Sequence, residues 1–428
     1  MKIALISYEF PPDTHTGGIG TYTYQAAHML ATGGHDVHVF GGSQKRGGRW
    51  AEEGVTVHRV PVQDRALFGE AVAQFVAAEH AVSAFDVMEA PEYGTEGWRA
   101  AEQVRKVAFV LRLHSPTFLI QRLDAGLMRQ RHRWVPAPTD IIRSLLRPQR
   151  KLYRFLEDPE YRCASTADIV VSPSDALTQL VAREWHWPRK AIHVVPNVYA
   201  PNAEFLRPKP PTANQRVTFL GRVSPGKGIC ELVKAAKHFL RQMPGATLRV
   251  AGWLGWKMRD GVLIEDTIRR ELSFAGSRLE PIGPVDQTRL PNLLLDSAVV
   301  VLPSHFENFP NTCLEAMAAG CAIVGSVHGG MQEQLDGGRC GLLVDPRRPK
   351  EISDAVVRLL RDSSLRTQLG DRARTRVLSA YSPATLLPPT LELYRSAIEN
   401  ARSRFHKGSG ALSERKRDAQ NLCCHLHA

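Results

Sequence analysis

The chain has 428 residues, 43% of them hydrophobic and 23% charged. That composition excludes a largely disordered or fibrous protein and predicts about two to three compact units, and no apolar run is long enough to span a bilayer. The net charge of +12 is concentrated in residues 121–154, at net +7, and in residues 401–428, at net +4, so the remainder is nearly neutral and a globally basic nucleic-acid coat is excluded.

Met1–Ser7 carries one lysine and a short apolar run before Glu9 and Pro11-Pro12, and it reads as a first strand rather than a signal peptide. Short β-branched runs then alternate with helical periods, the pattern of parallel sheets built from βαβ units. In the first half strands are predicted at Lys2–Ser7, Asp36–Phe40, Val55–Val60, Phe85–Glu89, Val107–Leu113, Asp168–Ser172 and His193–Val195. Amphipathic helices are predicted at Thr21–Ala31, Gly69–Ala81 and Ser174–Glu184. Prolines at 196, 201, 208, 210 and 211 break both periods and mark a hinge. The second half repeats the theme, with strands at Arg216–Leu220, Thr247–Ala251, Ala298–Leu302, Ala322–Gly325 and Gly341–Val344 and helices at Gly228–Gln242, Asn311–Ala319 and Lys350–Arg361.

The expected fold is α/β: two doubly wound Rossmann-like domains, 1–200 and 201–383, facing a central cleft, with a basic tail at 401–428. Ligands of such sheets bind beyond the C-terminal ends of the strands, so the chemistry is sought in the loops there. The seven cysteines are odd in number and form no CxxC, which predicts reduced thiols and a cytoplasmic protein rather than a disulfide framework or zinc ribbon. Cys423-Cys424-His425-Leu426-His427 offers metal ligands but reads as a frayed terminus.

After the first strand, Gly17-Gly18-Ile19-Gly20 precedes a helix whose N-terminus offers free N–H groups to a phosphate. The dinucleotide fingerprint fails, because Thr23 stands at its third glycine and the loop begins late. The second half opens with Gly221-Arg222 and Lys227-Gly228, where a planar fork and a point charge flank a Gly/Pro turn suited to a diphosphate, or else are two solvated charges. The densest pattern is Glu307-Asn308-Phe309-Pro310-Asn311-Thr312 running on to Glu315. A loop carboxylate can accept from sugar hydroxyls and a helical one can reach a ribose diol, although Thr312-x-x-Glu315 also reads as a capping box. His114 and Glu89 each end a strand, where either a ligand contact or a loop hydrogen bond is possible.

Taken together, Gly17-Gly18 with Tyr22, Glu89-Ala90-Pro91-Glu92-Tyr93-Gly94, His114, Val195-Pro196-Asn197, Gly221-Arg222 with Lys227-Gly228, the pair Glu307 and Glu315, and Gly329-Gly330-x-x-Glu333 resemble glycosyltransferase family 4, retaining sugar transferases of GT-B fold. The resemblance runs from residue 1 to about residue 397 in the family's order. It implies a nucleotide-diphosphate sugar as donor, with Arg222 and Lys227 on the diphosphate, Glu307 on the sugar and Glu315 on the ribose. Gly17, Gly18, Gly221, Asn308, Phe309, Asn311 and Thr312 would line the same donor site. His114 would lie near the reacting carbon, Glu89 and Tyr93 on the acceptor side, and a last helix at about 384–400 would cross back to the first domain.

No Asp-x-Asp occurs, which fits transfer without a metal or other cofactor. The expected acceptor is a glycan or lipid-linked molecule, and the expected donor base is uridine before guanosine. The arginines of 121–154, with Ile141-Ile142 and Leu145-Leu146 between them, depart from the family pattern and suggest an anionic membrane surface at the inner face of the plasma membrane. No specific nucleic-acid partner is expected. Two other functions compete: a sugar-nucleotide epimerase, which shares the architecture, and a non-catalytic polyanion-binding protein on the same scaffold.

Overall fold

The structure is a computed structural model that describes residues 1–14, 17–45, 47–130, 154–210, 214–257 and 261–406. Most of the arginine-rich segment, from residue 131 to 153, and the tail from residue 407 with its Cys-Cys-His-Leu-His run lie outside the described residues.

Runs such as Ile3-Ala4-Leu5-Ile6 and Val299-Val300-Val301-Leu302 are apolar on both faces, so they become strands buried on both sides by helices. The first sheet contains β1 (Lys2–Ser7), β2 (Asp36–Ser43), β3 (Gly48–Glu52), β4 (Val55–Pro61), β5 (Val87–Pro91), β6 (Ala108–Arg112), β7 (Ile169–Ser172) and β8 (Ile192–Val194), in the order β3-β4-β2-β1-β5-β6-β7-β8. The second contains β9 (Gln215–Leu220), β10 (Ala246–Ala251), β11 (Leu279–Gly283), β12 (Val299–Leu302), β13 (Ala322–Ser326) and β14 (Leu342–Val344), in the order β11-β10-β9-β12-β13-β14. Every pairing is parallel except that of β3 with β4. The order reverses beside β1 in one sheet and beside β9 in the other, and each reversal opens a crevice at the strands' C-terminal ends.

Two strands escape the sequence pattern. β3 is an exposed antiparallel edge whose residues, Gly-Arg-Trp-Ala-Glu, show no β-branched run. β11 contains Pro281, which cannot donate to a ladder, and its register against β10 shifts at Val250/Ala251. The helix Ser363–Ala380 was also not apparent from periodicity; Asp362 caps it, accepting from the Leu365 N–H at 2.8 Å.

The last helix, Pro383–His406, packs over β5, β6 and β7 of the first sheet. Its Tyr394 is fully buried and donates its hydroxyl proton to Glu89 at 2.9 Å. Among the described residues no helix is long and apolar enough to cross a membrane. Two cations of the arginine-rich segment are engaged by protein carboxylates, Arg122 by Glu184 at 2.6 Å and Arg154 by Glu157 at 3.0 Å.

Candidate active site

The loops after β9 and β12 meet at the switch point of the second sheet, and glycines allow the approach. Gly228 has φ 74°, and a β-carbon there would stand 1.8 Å from the Pro303 carbonyl oxygen. At Gly252, φ 148°, a β-carbon would stand 1.8 Å from the Gly221 carbonyl oxygen. Side chains at either position are excluded by both sterics and backbone conformation. His305 N–H donates to the Gly226 carbonyl at 3.0 Å and ties the two loops together.

This contact brings the Lys227 ammonium into an ion pair with the Glu307 carboxylate, which also accepts from the Ser304 hydroxyl at 3.0 Å. The Glu307 main chain is clamped from behind: its carbonyl accepts from Gly330 N–H at 2.9 Å, and Gly329, at φ 85°, leaves no room for a β-carbon beside it. Arg222 is exposed and, among the described residues, makes no hydrogen bond or ion pair. A cation without a protein acceptor thus stands a few residues from one that is already paired.

The helix Asn311–Ala318 starts beside Glu307, with Pro310 at its N-cap and no side-chain cap. Its first residues, Asn311 and Thr312, are half-buried, and their end of the helix dipole is positive. The capping box suggested by Thr312 and Glu315 does not form. With the cap at Pro310, Glu315 is the fifth helical residue rather than the third, too deep to reach back. Glu315 turns inward instead, 6% exposed, and accepts from Gln287 Nε2 at 3.3 Å. Phe309, expected to line the donor site, buries its ring edge-on against Tyr381 at 5.2 Å, so its side chain packs in the core.

Burial raises the Glu315 carboxyl to about 7, with the Gln287 hydrogen bond opposing the rise. A carboxyl whose folded value lies above its unfolded one binds its proton more tightly when folded. Stability from this group is therefore complete below about pH 4 and is lost as pH rises through about 7. Glu315→Gln is expected to flatten the fall in urea midpoint between pH 5 and 7.5, read from unfolding curves of both proteins. An unchanged slope would show that Glu315 is not the titrating group.

On the first domain, Gly17 caps the helix Gly18–Thr32, and a β-carbon on Gly18 would meet no atom within 4 Å, so the helix start is open. Glu9 lies beside it, bound to Arg65 at 2.7 Å, and Arg65 also pairs with Glu96 while covering the Tyr93 ring at 4.6 Å. Glu89 is buried and accepts from Tyr22 Oη at 2.6 Å, Arg112 Nε at 2.9 Å and Tyr394 Oη. Its carboxylate, expected on the acceptor side, is thus taken up by three protein donors.

His114 stands against the Tyr22 ring at 5.4 Å. Burial, helped by the Arg112 and Arg65 charges, holds it down to about 3, so the imidazole is neutral. The main-chain N–H groups of His114 and Ser115 donate to the Glu92 carboxyl at 2.8 and 2.7 Å. Burial, with the Glu160 charge beside it, pushes the Glu92 carboxyl upward.

The His114 carbonyl is where the two domains meet. Asn308 donates to it from Nδ2 at 2.7 Å and accepts from the Ser174 hydroxyl at 2.8 Å. Asn308, expected on the donor, thus spends its amide on the first domain. Glu333 completes the brace, accepting from the Asp175 and Ala176 N–H groups at 2.9 Å each and capping the helix Asp175–Glu184 across the gap. Arg65 and Glu9 had no sequence signal of their own, and Ser174 read only as the start of a helix, which it caps. Gln287 was hidden because it follows β11, a strand that periodicity missed.

Both halves of the chain match known protein families. The pattern described as "Glycosyl transferase 4-like domain" matches residues 17–198, and "Glycosyl transferases group 1" matches residues 203–376. Glycogen synthase of Mycobacterium tuberculosis is 27% identical over 414 residues, covering 94% of this chain and 96% of its own. The MMP alpha-(1->4)-mannosyltransferase of Mycolicibacterium hassiacum is 25% identical, covering 93% and 98%. Among solved structures, sucrose-phosphate synthase from Thermosynechococcus elongatus superposes with a TM-score of 0.67 at 23% identity, covering 92% of this chain and 98% of that one. HepE of Anabaena, solved with UDP-glucose, superposes at 0.64 and 18%, covering 92% and 100%.

The two facing Rossmann-like domains are those of a GT-B glycosyltransferase. The chain belongs to the family 4 type of these enzymes, as both halves match their family patterns in order.

Proposed function

We propose that this glycosyltransferase moves a hexose from a UDP-sugar, with retention of anomeric configuration and without a metal ion, to a glycan or lipid-linked acceptor in cell-surface polysaccharide or glycolipid synthesis. The observation that carries the reading is the Lys227–Glu307 pair beside an exposed Arg222 at the start of the helix Asn311–Ala318. A diphosphate is the ligand that this set suits. Arg222 presents a fork, Lys227 a point charge, and the helix its positive end, and all three act on negative charge.

When the diphosphate takes Lys227, Glu307 loses its cation and its lone pairs turn to the sugar hydroxyls. Glu315 accepts from the ribose diol. As the bond to the sugar breaks, charge grows on the leaving diphosphate, and the two cations stabilise that charge most at the transition state. Gly18 lets the first domain's helix start approach from the other side, and the neutral His114 offers a hydrogen bond to the transferred sugar. Uridine is supported by HepE, solved with UDP and with UDP-glucose, and by the E. coli neighbour solved with UDP-2-fluoro glucose.

The net +7 of residues 121–154 supports an anionic membrane surface as the place where acceptor is met. Sedimentation with vesicles is expected to show binding to anionic and not to neutral lipid; equal binding to both removes the membrane from the proposal. The donor is tested by melting the protein with UDP, GDP, ADP and NAD. A ligand at a hundred times its dissociation constant adds about 2.7 kcal/mol. UDP is expected to raise the midpoint most, and transfer is expected to persist in EDTA with the product retaining the donor's anomer. A shift by GDP alone would overturn uridine, and an inverted product would overturn retention.

A further inference from the structure

Near the start of β2, at the end of the strand opposite the cleft, three ligating side chains converge that play no part in sugar transfer. His38 on β2 and His58 on β4 lie on one face of the sheet, since Phe40 pairs with His58 and residues two apart share a face. The helix Phe68–Val82 covers that face and brings Glu79 to them. His38 Nδ1 is 2.9 Å from His58 Nε2 and 3.7 Å from Glu79 Oε1, and all three ligand atoms lie within 4.8 Å of one another.

We propose that His38, His58 and Glu79 form a site for a zinc-like divalent transition-metal ion, with water as the fourth ligand. Bonds of about 2.0–2.1 Å in a tetrahedron place neighbouring ligand atoms about 3.3 Å apart, so the three need only small movements to close on an ion. The rings are already set. His58 stacks on Phe40 at 4.4 Å with planes 9° apart, and His38 meets the Phe85 ring edge-on at 5.3 Å. Asp36 Oδ1 lies 3.2 Å from His38 Nε2, so its charge favours the proton on that nitrogen and leaves the Nδ1 lone pair for the site. A carboxylate behind a ligating histidine both orients it and raises its basicity. Burial also keeps both imidazoles in the neutral form that ligates.

Two protein cations now occupy the ion's electrostatic place. Lys2 Nζ is 3.5 Å and Arg49 Nη2 is 3.4 Å from Glu79 Oε1. Arg49 is 60% exposed and can swing into water when an ion enters. The proposal therefore predicts opposite signs for two neighbouring substitutions, which a purely structural His–His hydrogen bond would not.

The test uses the full chain, stripped of metal and dialysed against Zn²⁺, with Co²⁺ as the spectroscopic probe. The parent is expected to retain one ion per chain more than Glu79→Gln or His58→Phe, and Arg49→Ala is expected to bind severalfold more tightly. Using the difference between parent and variants discounts ions held by Cys423, Cys424 or the tail histidines, whose Co²⁺ spectrum would show thiolate bands. Transfer activity and circular dichroism report folding; should His58→Phe fail to fold, Glu79→Gln decides alone. Equal stoichiometry in parent and variants, or no change in affinity for Arg49→Ala, would overturn the site.

Discussion

Glu307→Ala is expected to lower turnover by about 10²–10³-fold while the affinity for bare UDP stays the same or rises. The sign follows from the ion pair. In the ligand-free enzyme Glu307 holds Lys227, so a diphosphate has to compete with a carboxylate for that ammonium. Alanine removes the competitor, and Lys227 meets the phosphate already unpaired. In the proposed roles turnover falls because the sugar hydroxyls lose the carboxylate that accepts from them, and with it the orientation of the reacting carbon. Arg222→Ala has no such compensation, since Arg222 gives up no protein partner among the described residues. It is expected to weaken UDP binding and turnover together. Calorimetry with UDP and initial rates with the matching sugar nucleotide check both. Equal loss of UDP affinity in the two variants would contradict the division of roles between the carboxylate and the guanidinium.

Glu89→Ala is expected to destabilise the first domain by about 3–5 kcal/mol, the usual result of stripping one partner from a buried ion pair. Arg112 and Glu89 are 1% and 3% exposed, so neither finds water when the other is removed. Arg112 would keep one hydrogen bond, to the Val195 carbonyl at 3.1 Å, and its stacking over Tyr22 at 4.4 Å. The Tyr22 and Tyr394 hydroxyls would lose their acceptor at the same time. Since Tyr394 belongs to the helix that returns from the second domain, hydrogen exchange in Pro383–His406 should accelerate. Denaturant curves and exchange rates measure both effects. A variant as stable as the parent, but with raised KM for acceptor, would return Glu89 to the acceptor side.

The parallel strands and their alternation with helices were legible in the sequence because strands buried on both faces need near-continuous apolar runs, and these runs are short and bounded by turn residues. Lys2–Ser7 and Ala322–Ser326 are cases where the run and the strand nearly coincide. The placement of Arg222, Lys227, Glu307 and Glu315 was legible for a different reason: each stands in a loop after a strand or within the helix that follows it, at the C-terminal end of the second sheet. What remained closed was every property set by a partner distant in the chain. Phe309 and Asn308 are adjacent to Glu307, yet one is drawn into the core by Tyr381 and the other to the His114 carbonyl and Ser174.

Glu89 and Glu315 look alike as strand-end and helix carboxylates. One meets three donors, from residues 22, 112 and 394, and the other meets a single amide at residue 287. The sequence by itself determined the α/β class, the two halves and the charged loops, because strand burial and loop position are local consequences of residue order. Only the tertiary structure decided which carboxylate is sealed, which cation is paired and how Asn308 and Glu333 brace the domains. Those outcomes depend on distances between groups far apart in the chain, and residue order alone carries no such distances.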